Sequence, residues 1–160
     1  SVVFDRIVSK DELVTVAQDY NITDKVSSTS TFFDWFDLPF TTNSFWYRYT
    51  GTIKAGVNLE DAAMETSGSI IRITLSQPYI ISNTPNMDES GVLEETNNIL
   101  NPIHVENVDQ FQRECVETSE AKAIEGGLLE EAKANAEIDL RDLFNAGLGD
   151  AYTIEFAWRE

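Results

Sequence analysis

Histidine and cysteine are the side chains best suited to pass a proton or attack an electrophile near neutral pH. This sequence holds one of each, His104 and Cys115. They lie eleven residues apart, which on a helix is roughly 16 Å at 1.5 Å per residue, so only a sharp fold-back would join them. Cys115 falls on the apolar side of a helical pattern, where a free cysteine behaves as a small core residue. His104 follows Pro102 at the end of a polar, acidic stretch. A core cysteine and a surface histidine are therefore expected, not a catalytic dyad. A single cysteine also excludes an intramolecular disulfide, and one His with one Cys cannot supply a zinc site within the chain.

Carboxylates are plentiful, and Asp34 and Asp37 stand out because Phe32, Phe33, Trp35, Phe36, Leu38 and Phe40 surround them. Burial among aromatics raises a carboxyl pKa, the condition for acid–base work in a hydrolase. Aspartates beside proline and threonine are also ordinary turn residues that tip neighbouring aromatics inward. A hard-cation site has one partial match. Asn86, Asp88, Ser90 and Gly91 occupy positions 1, 3, 5 and 6 of a calcium loop, but position 12 is Asn97 instead of glutamate. A solvated turn is the expectation there. Gly126-Gly127 lacks the spacing of a phosphate-binding loop. We expect no metal and no cofactor.

The aromatic stretch has a second use. Phe32, Phe33, Trp35, Phe36 and Phe40 can form an exposed patch for a protein partner or for self-association, or fold as a flap over a sheet. These five are the candidate binding residues.

The elements that must position these groups follow from charge and periodicity. The chain has 160 residues, 42% of them hydrophobic and 11% aromatic, enough for one domain with a core. It carries 28 acids against 11 bases, a net charge of −17. Such a field repels nucleic acid and anionic membrane surfaces, so neither is expected as a partner. Residues 1–58 hold 7 acids and 5 bases, whereas residues 59–160 hold 21 acids and 6 bases. The acidity is thus expected on solvated helical faces in the second half.

Residues 13–22 alternate as a strand, with Val14, Val16, Tyr20 and Ile22 on the inner face. Phe45, Tyr47, Tyr49, Ile53, Ala55 and Val57 alternate against Trp46, Arg48, Thr50, Thr52 and Lys54, with Gly51 marking a bend or bulge. Asn58–Glu65 reads as a short helical turn capped by Asn58. Ile71, Ile73 and Leu75 form another strand that Tyr79–Ser82 extends past Pro78, and Asn83–Asn101 reads as an exposed polar loop.

Two helices follow. The first runs from about Asn107 to Ile124, with Val108, Phe111 and Cys115 inward. The second turns Leu129, Ala132, Ala136, Leu140 and Leu143 inward, pairs Glu137 with Arg141 on its outer face, and stops at Gly147. Tyr152, Ile154, Phe156 and Trp158 close the chain as a strand. This order predicts a single α+β domain over residues 1–160, a mostly antiparallel twisted sheet with two amphipathic helices on one face.

The sequence resembles the bacterial family called domain of unknown function 4230. The resemblance begins at Glu12-Leu13-Val14-Thr15 and is clearest over Tyr49-Thr50-Gly51-Thr52-Ile53-Lys54-Ala55-Gly56-Val57-Asn58-Leu59. It continues through Ile71–Ile80 and Gly127–Ala136 and ends in the Ile154–Trp158 strand. Ser76 and Gln77 depart from it, since the family usually places a proline nearer the strand end, and the 32–40 stretch is not a family feature. The resemblance implies a bacterial protein of the cell envelope, tethered by an N-terminal transmembrane segment with this domain outside. A start at Ser1 without methionine accords with an anchor or leader preceding this segment. The resemblance implies no activity or catalytic residues. The expected function is non-enzymatic protein contact. A small-ligand pocket between the sheet and the 32–40 flap, and a hydrolase using Asp34 and Asp37, are the alternatives.

Overall fold

The computed structural model describes residues 12–27, 44–93, 100–101 and 108–160. The strands are β1 (Glu12–Ser27), β2 (Ser44–Asn58), β3 (Ala63–Ser67), β4 (Ile70–Leu75), β5 (Tyr79–Leu93), β6 (Leu100–Asn101) and β7 (Thr153–Trp158). The helices are α1 (Val108–Glu125) and α2 (Leu128–Leu148), with a short 3-10 turn at Gly149–Ala151. The class is α+β, and the pairing is mostly antiparallel.

The strands divide between two sheets where one was expected: four strands in the order β1-β2-β5-β6 and three in the order β3-β4-β7. Pro78, which has no N–H to donate, stands between β4 and β5, and the two strands on either side of it belong to different sheets. Tyr79–Ser82 therefore begins a new strand and does not extend β4. β3 and β4 are an antiparallel hairpin whose Ser67↔Ile70 pairing leaves a two-residue loop. Gly68 in that loop takes φ 59°, the left-handed conformation such short hairpins demand. β7 pairs with β4 in parallel, matching Ile71 to Ile154 and Ile73 to Phe156.

The described residues form two compact units. One comprises residues 12–17, 54–82 and 124–160, and the other comprises residues 18–27, 44–53, 83–93, 100–101 and 108–123. In the first, Val57, Leu59, Ile71, Ile73, Leu75 and Ile154 form one core with Ala136, Leu140 and Phe144 of α2. Each large side chain so buried contributes about 1.5–3 kcal/mol. Leu13 packs against this core, while Val14 is 44% exposed, so the inward face of β1 here is the odd-numbered one. Thr15 fixes that register, donating its hydroxyl to the Ala132 carbonyl at 2.7 Å and accepting from Asn135 Nδ2 at 3.0 Å.

The stripe that α2 buries is Leu128, Ala132, Ala136, Leu140 and Phe144. Leu129 is half-buried, and Leu143 is 48% exposed. Both stripes obey a helical period, and the choice between them falls to Phe144, the largest side chain available to fill the core. Glu137 and Arg141 each reach an aromatic ring of β7 in place of one another. Trp158 Nε1 donates to Glu137 Oε1 at 2.8 Å, and the Arg141 guanidinium lies 5.4 Å from the Phe156 ring centre. The helix stops at Gly149 (φ 66°), whose N–H bonds the Asn145 carbonyl, two residues beyond the expected Gly147.

Other local expectations change as well. Asn58 ends β2, and its Oδ1 accepts the Glu60 N–H at 2.8 Å, so the segment is a tight side-chain-stabilised turn into β3, not a helical one. β2 runs unbroken through Gly51. Glycine is required there because a Cβ would fall on the Tyr20 phenol and 2.7 Å from the Thr84 carbonyl. Residues 83–93 are strand and not loop.

Candidate functional site

In the second unit, alternation along β2 places Tyr47 and Tyr49 on the same face, both buried. Their rings stack 5.5 Å apart at an interplanar angle of 5°. Tyr20 from β1 meets Tyr49 edge-on at 6.0 Å between ring centres. Three phenols from neighbouring strands thus form one tyrosine face.

Helix α1 supplies the groups that surround this face. Its buried positions are Phe111, Cys115, Ser119 and Ala123. Tyr20 donates its hydroxyl to Asn83 Oδ1 at 3.0 Å. Asn83 Nδ2 in turn donates to Ser119 Oγ at 2.9 Å, with longer approaches to the Val116 carbonyl and Glu120 Oε1, each 3.4 Å. Ser119 completes the chain by donating to the Val116 carbonyl at 3.0 Å. Lys122 reaches Asp24 of β1 at 3.5 Å. Ser90, buried on β5, donates to the Asn86 carbonyl at 2.6 Å and accepts the Thr50 N–H at 3.2 Å.

Electrostatics decide what these groups can do. Burial pushes the Cys115 thiol up to about 12, with the Glu114 carboxylate adding to the effect. Burial likewise lifts Tyr47 to about 12, reinforced by negative charge at Asp24, and raises Tyr49 further. Desolvation disfavours the charged form in each case. At neutral pH the thiol and the phenols keep their protons. The buried Tyr49 hydroxyl has no hydrogen-bond partner among the described residues.

Cys115 is thus the core residue expected of it. The segment considered for calcium is strand: Asn86, Asp88, Ser90 and Gly91 lie on β5, and the Ser90 hydroxyl is committed to the backbone. An extended strand sends alternate side chains to opposite sides and cannot wrap them around one ion. Phe32, Phe33, Trp35, Phe36 and Phe40 lie outside the described residues, as do Asp34, Asp37, Asn97 and His104.

The Tyr20–Asn83–Ser119 chain was missed because Asn83 sits among turn-forming residues. A depression of about 360 Å³ beside α1 is lined by Asp109, Gln112, Arg113, Val116 and Glu117. All five come from one helix, so they form a solvated stripe without groups converging from a second element.

A family model described as Protein of unknown function (DUF4230) matches residues 5–155. The chain belongs to the DUF4230 family. The match covers the Tyr49–Leu59 segment, where the resemblance was clearest, together with Ile71–Ile80 and Gly127–Ala136. Neither the curated proteins nor the solved structures contain a match to the chain.

Proposed function

We propose that this DUF4230 domain acts by protein contact and not by catalysis, as a module on the outer side of a bacterial cell envelope. The outer row of α2 carries the reading. Glu131, Ala134, Ile138 and Asp142 follow one another at helical spacing and are all exposed, Ile138 by 51%. An apolar centre with carboxylates at both ends suits a partner surface that offers an apolar socket ringed by lysine or arginine. The protonated thiol and phenols of the tyrosine face accord with this reading, because they supply packing and no reactive group. The cell-envelope setting rests on the family resemblance.

A photo-crosslinking residue placed at Ile138, and separately at Trp35, tests the proposal in living cells. A discrete protein adduct at either position, lost when a neighbour of the probe is replaced (Ala134→Asp for the Ile138 probe, Phe36→Ser for the Trp35 probe), is the expected result. Absence of any adduct above background at both positions would remove the contact reading.

A further inference from the structure

The way α1 is held suggests a use for it. Three of its four buried positions are Cys115, Ser119 and Ala123, all small, and one of these is polar. Small side chains bury little apolar surface, and burial is the main force that holds a helix on a sheet. Besides the buried Phe111, the polar contacts that hold α1 among the described residues are the Asn83 fork to Ser119, the Val116 carbonyl and Glu120, and the exposed Lys122–Asp24 pair. Two of the three Asn83 contacts are long, and exposed ion pairs add little. Beneath the helix, the unbonded Tyr49 hydroxyl is a cost that water would relieve on opening. Gly126 and Gly127 follow its last turn, and Gly127 takes the left-handed conformation (φ 90°) that ends it.

We propose that α1 is a detachable cover: it lifts from the tyrosine face of Tyr20, Tyr47 and Tyr49 by a local opening, with Asn83 as its latch. This inference stands apart from the contact proposal for α2. Opening exposes the stacked rings of Tyr47 and Tyr49 together with Cys115, while the core that α2 forms with β4 and β7 stays intact. Local openings of this kind lie well below the free energy of global unfolding and involve much less newly exposed surface.

Cys115 is the only thiol in the chain, so it reports the opening directly. The full chain is treated with iodoacetamide at pH 8 across a series of urea concentrations below the unfolding transition. Expected is a labelling rate that depends only weakly on urea at low concentration and joins the steep global slope near the transition, since the urea slope scales with exposed surface. Asn83→Ala is expected to raise the rate without urea by about tenfold, the effect of losing a buried hydrogen-bond latch. Leu140→Ala, which weakens the α2 core, is expected to lower the urea midpoint while leaving the low-urea rate near that of the wild type. Labelling that follows the steep global slope at every urea concentration overturns the proposal. So does a low-urea rate that rises with Leu140→Ala and not with Asn83→Ala.

Discussion

The buried residues of α1 and α2 fall at the same spacing, every fourth position, yet they are chemically unlike. In α1 they are Phe111, Cys115, Ser119 and Ala123, and in α2 they are Leu128, Ala132, Ala136, Leu140 and Phe144. Both helices carry five acids against two bases, so charge does not separate them. What differs is the means of attachment. α2 joins a continuous apolar core through Ala136, Leu140 and Phe144, whereas α1 has one aromatic anchor near its start and side-chain hydrogen bonds further along. Hydrogen bonds fix register well but add only about 0.5–1.5 kcal/mol each, against about 1.5–3 kcal/mol for a fully buried large side chain. The same periodicity can therefore build a permanent wall or a removable cover.

The largest expected effect comes from the anchors. Phe144→Ala should lower overall stability by about 3–5 kcal/mol in urea denaturation, since it empties a closed core. Phe111→Ala should act mainly on α1, so that amide protection over 108–125 falls further than the global midpoint does. If the two substitutions shift the midpoint and the α1 amides alike, the two helices are not distinct in kind.

Alkaline pH sharpens the same contrast at a smaller scale. Cys115 is raised from 9.0 to about 12 and Tyr47 from 10.0 to about 12. Below pH 9 both groups are protonated in the folded and unfolded states and pH has no leverage through them. Between pH 9 and 12 the unfolded chain releases these protons while the folded chain retains them, so stability falls as pH rises. The melting temperature should decline over that window, with phenolate absorbance and loss of α1 protection appearing together. A melting temperature that stays flat from pH 9 to 11 would contradict the burial of the tyrosine face.

The smallest effects concern single hydroxyls, and they should differ in sign. Tyr49→Phe removes a buried hydroxyl without a hydrogen bond, so stability should hold or rise by up to about 1 kcal/mol. Tyr20→Phe breaks the bond to Asn83 and should cost about 1 kcal/mol. Equal losses in the two variants would mean that the Tyr49 hydroxyl is bonded after all.

Much of the fold was legible because burial leaves a periodic trace. The alternation of Tyr47, Tyr49, Ile53, Ala55 and Val57 in β2 and of Ile71, Ile73 and Leu75 in β4 reappears residue by residue as the buried faces. Segments stabilised by polar contacts leave no such trace. Residues 83–93 read as a loop because Asn83, Asn86 and Ser90 are turn formers, whereas in the strand the Asn83 side chain bonds Ser119 of α1 and the Ser90 hydroxyl bonds the backbones of Asn86 and Thr50. On α2 the period was clear but its phase was not, because Leu129 and Leu143 fit as well as Leu128 and Phe144 until the shape of the core decides. The tyrosine face was visible as a row of aromatics on β2. Its link through Asn83 to Ser119 joins residues 36 apart, a separation at which sequence pattern carries no signal.

Native-state hydrogen exchange across increasing urea tests the difference between the helices most directly. Amides of 108–125 should exchange through a local opening with shallow urea dependence, while the protected amides of 128–148 should exchange only through global unfolding with a steep one. A single steep dependence shared by both helices from the lowest urea upward would contradict it.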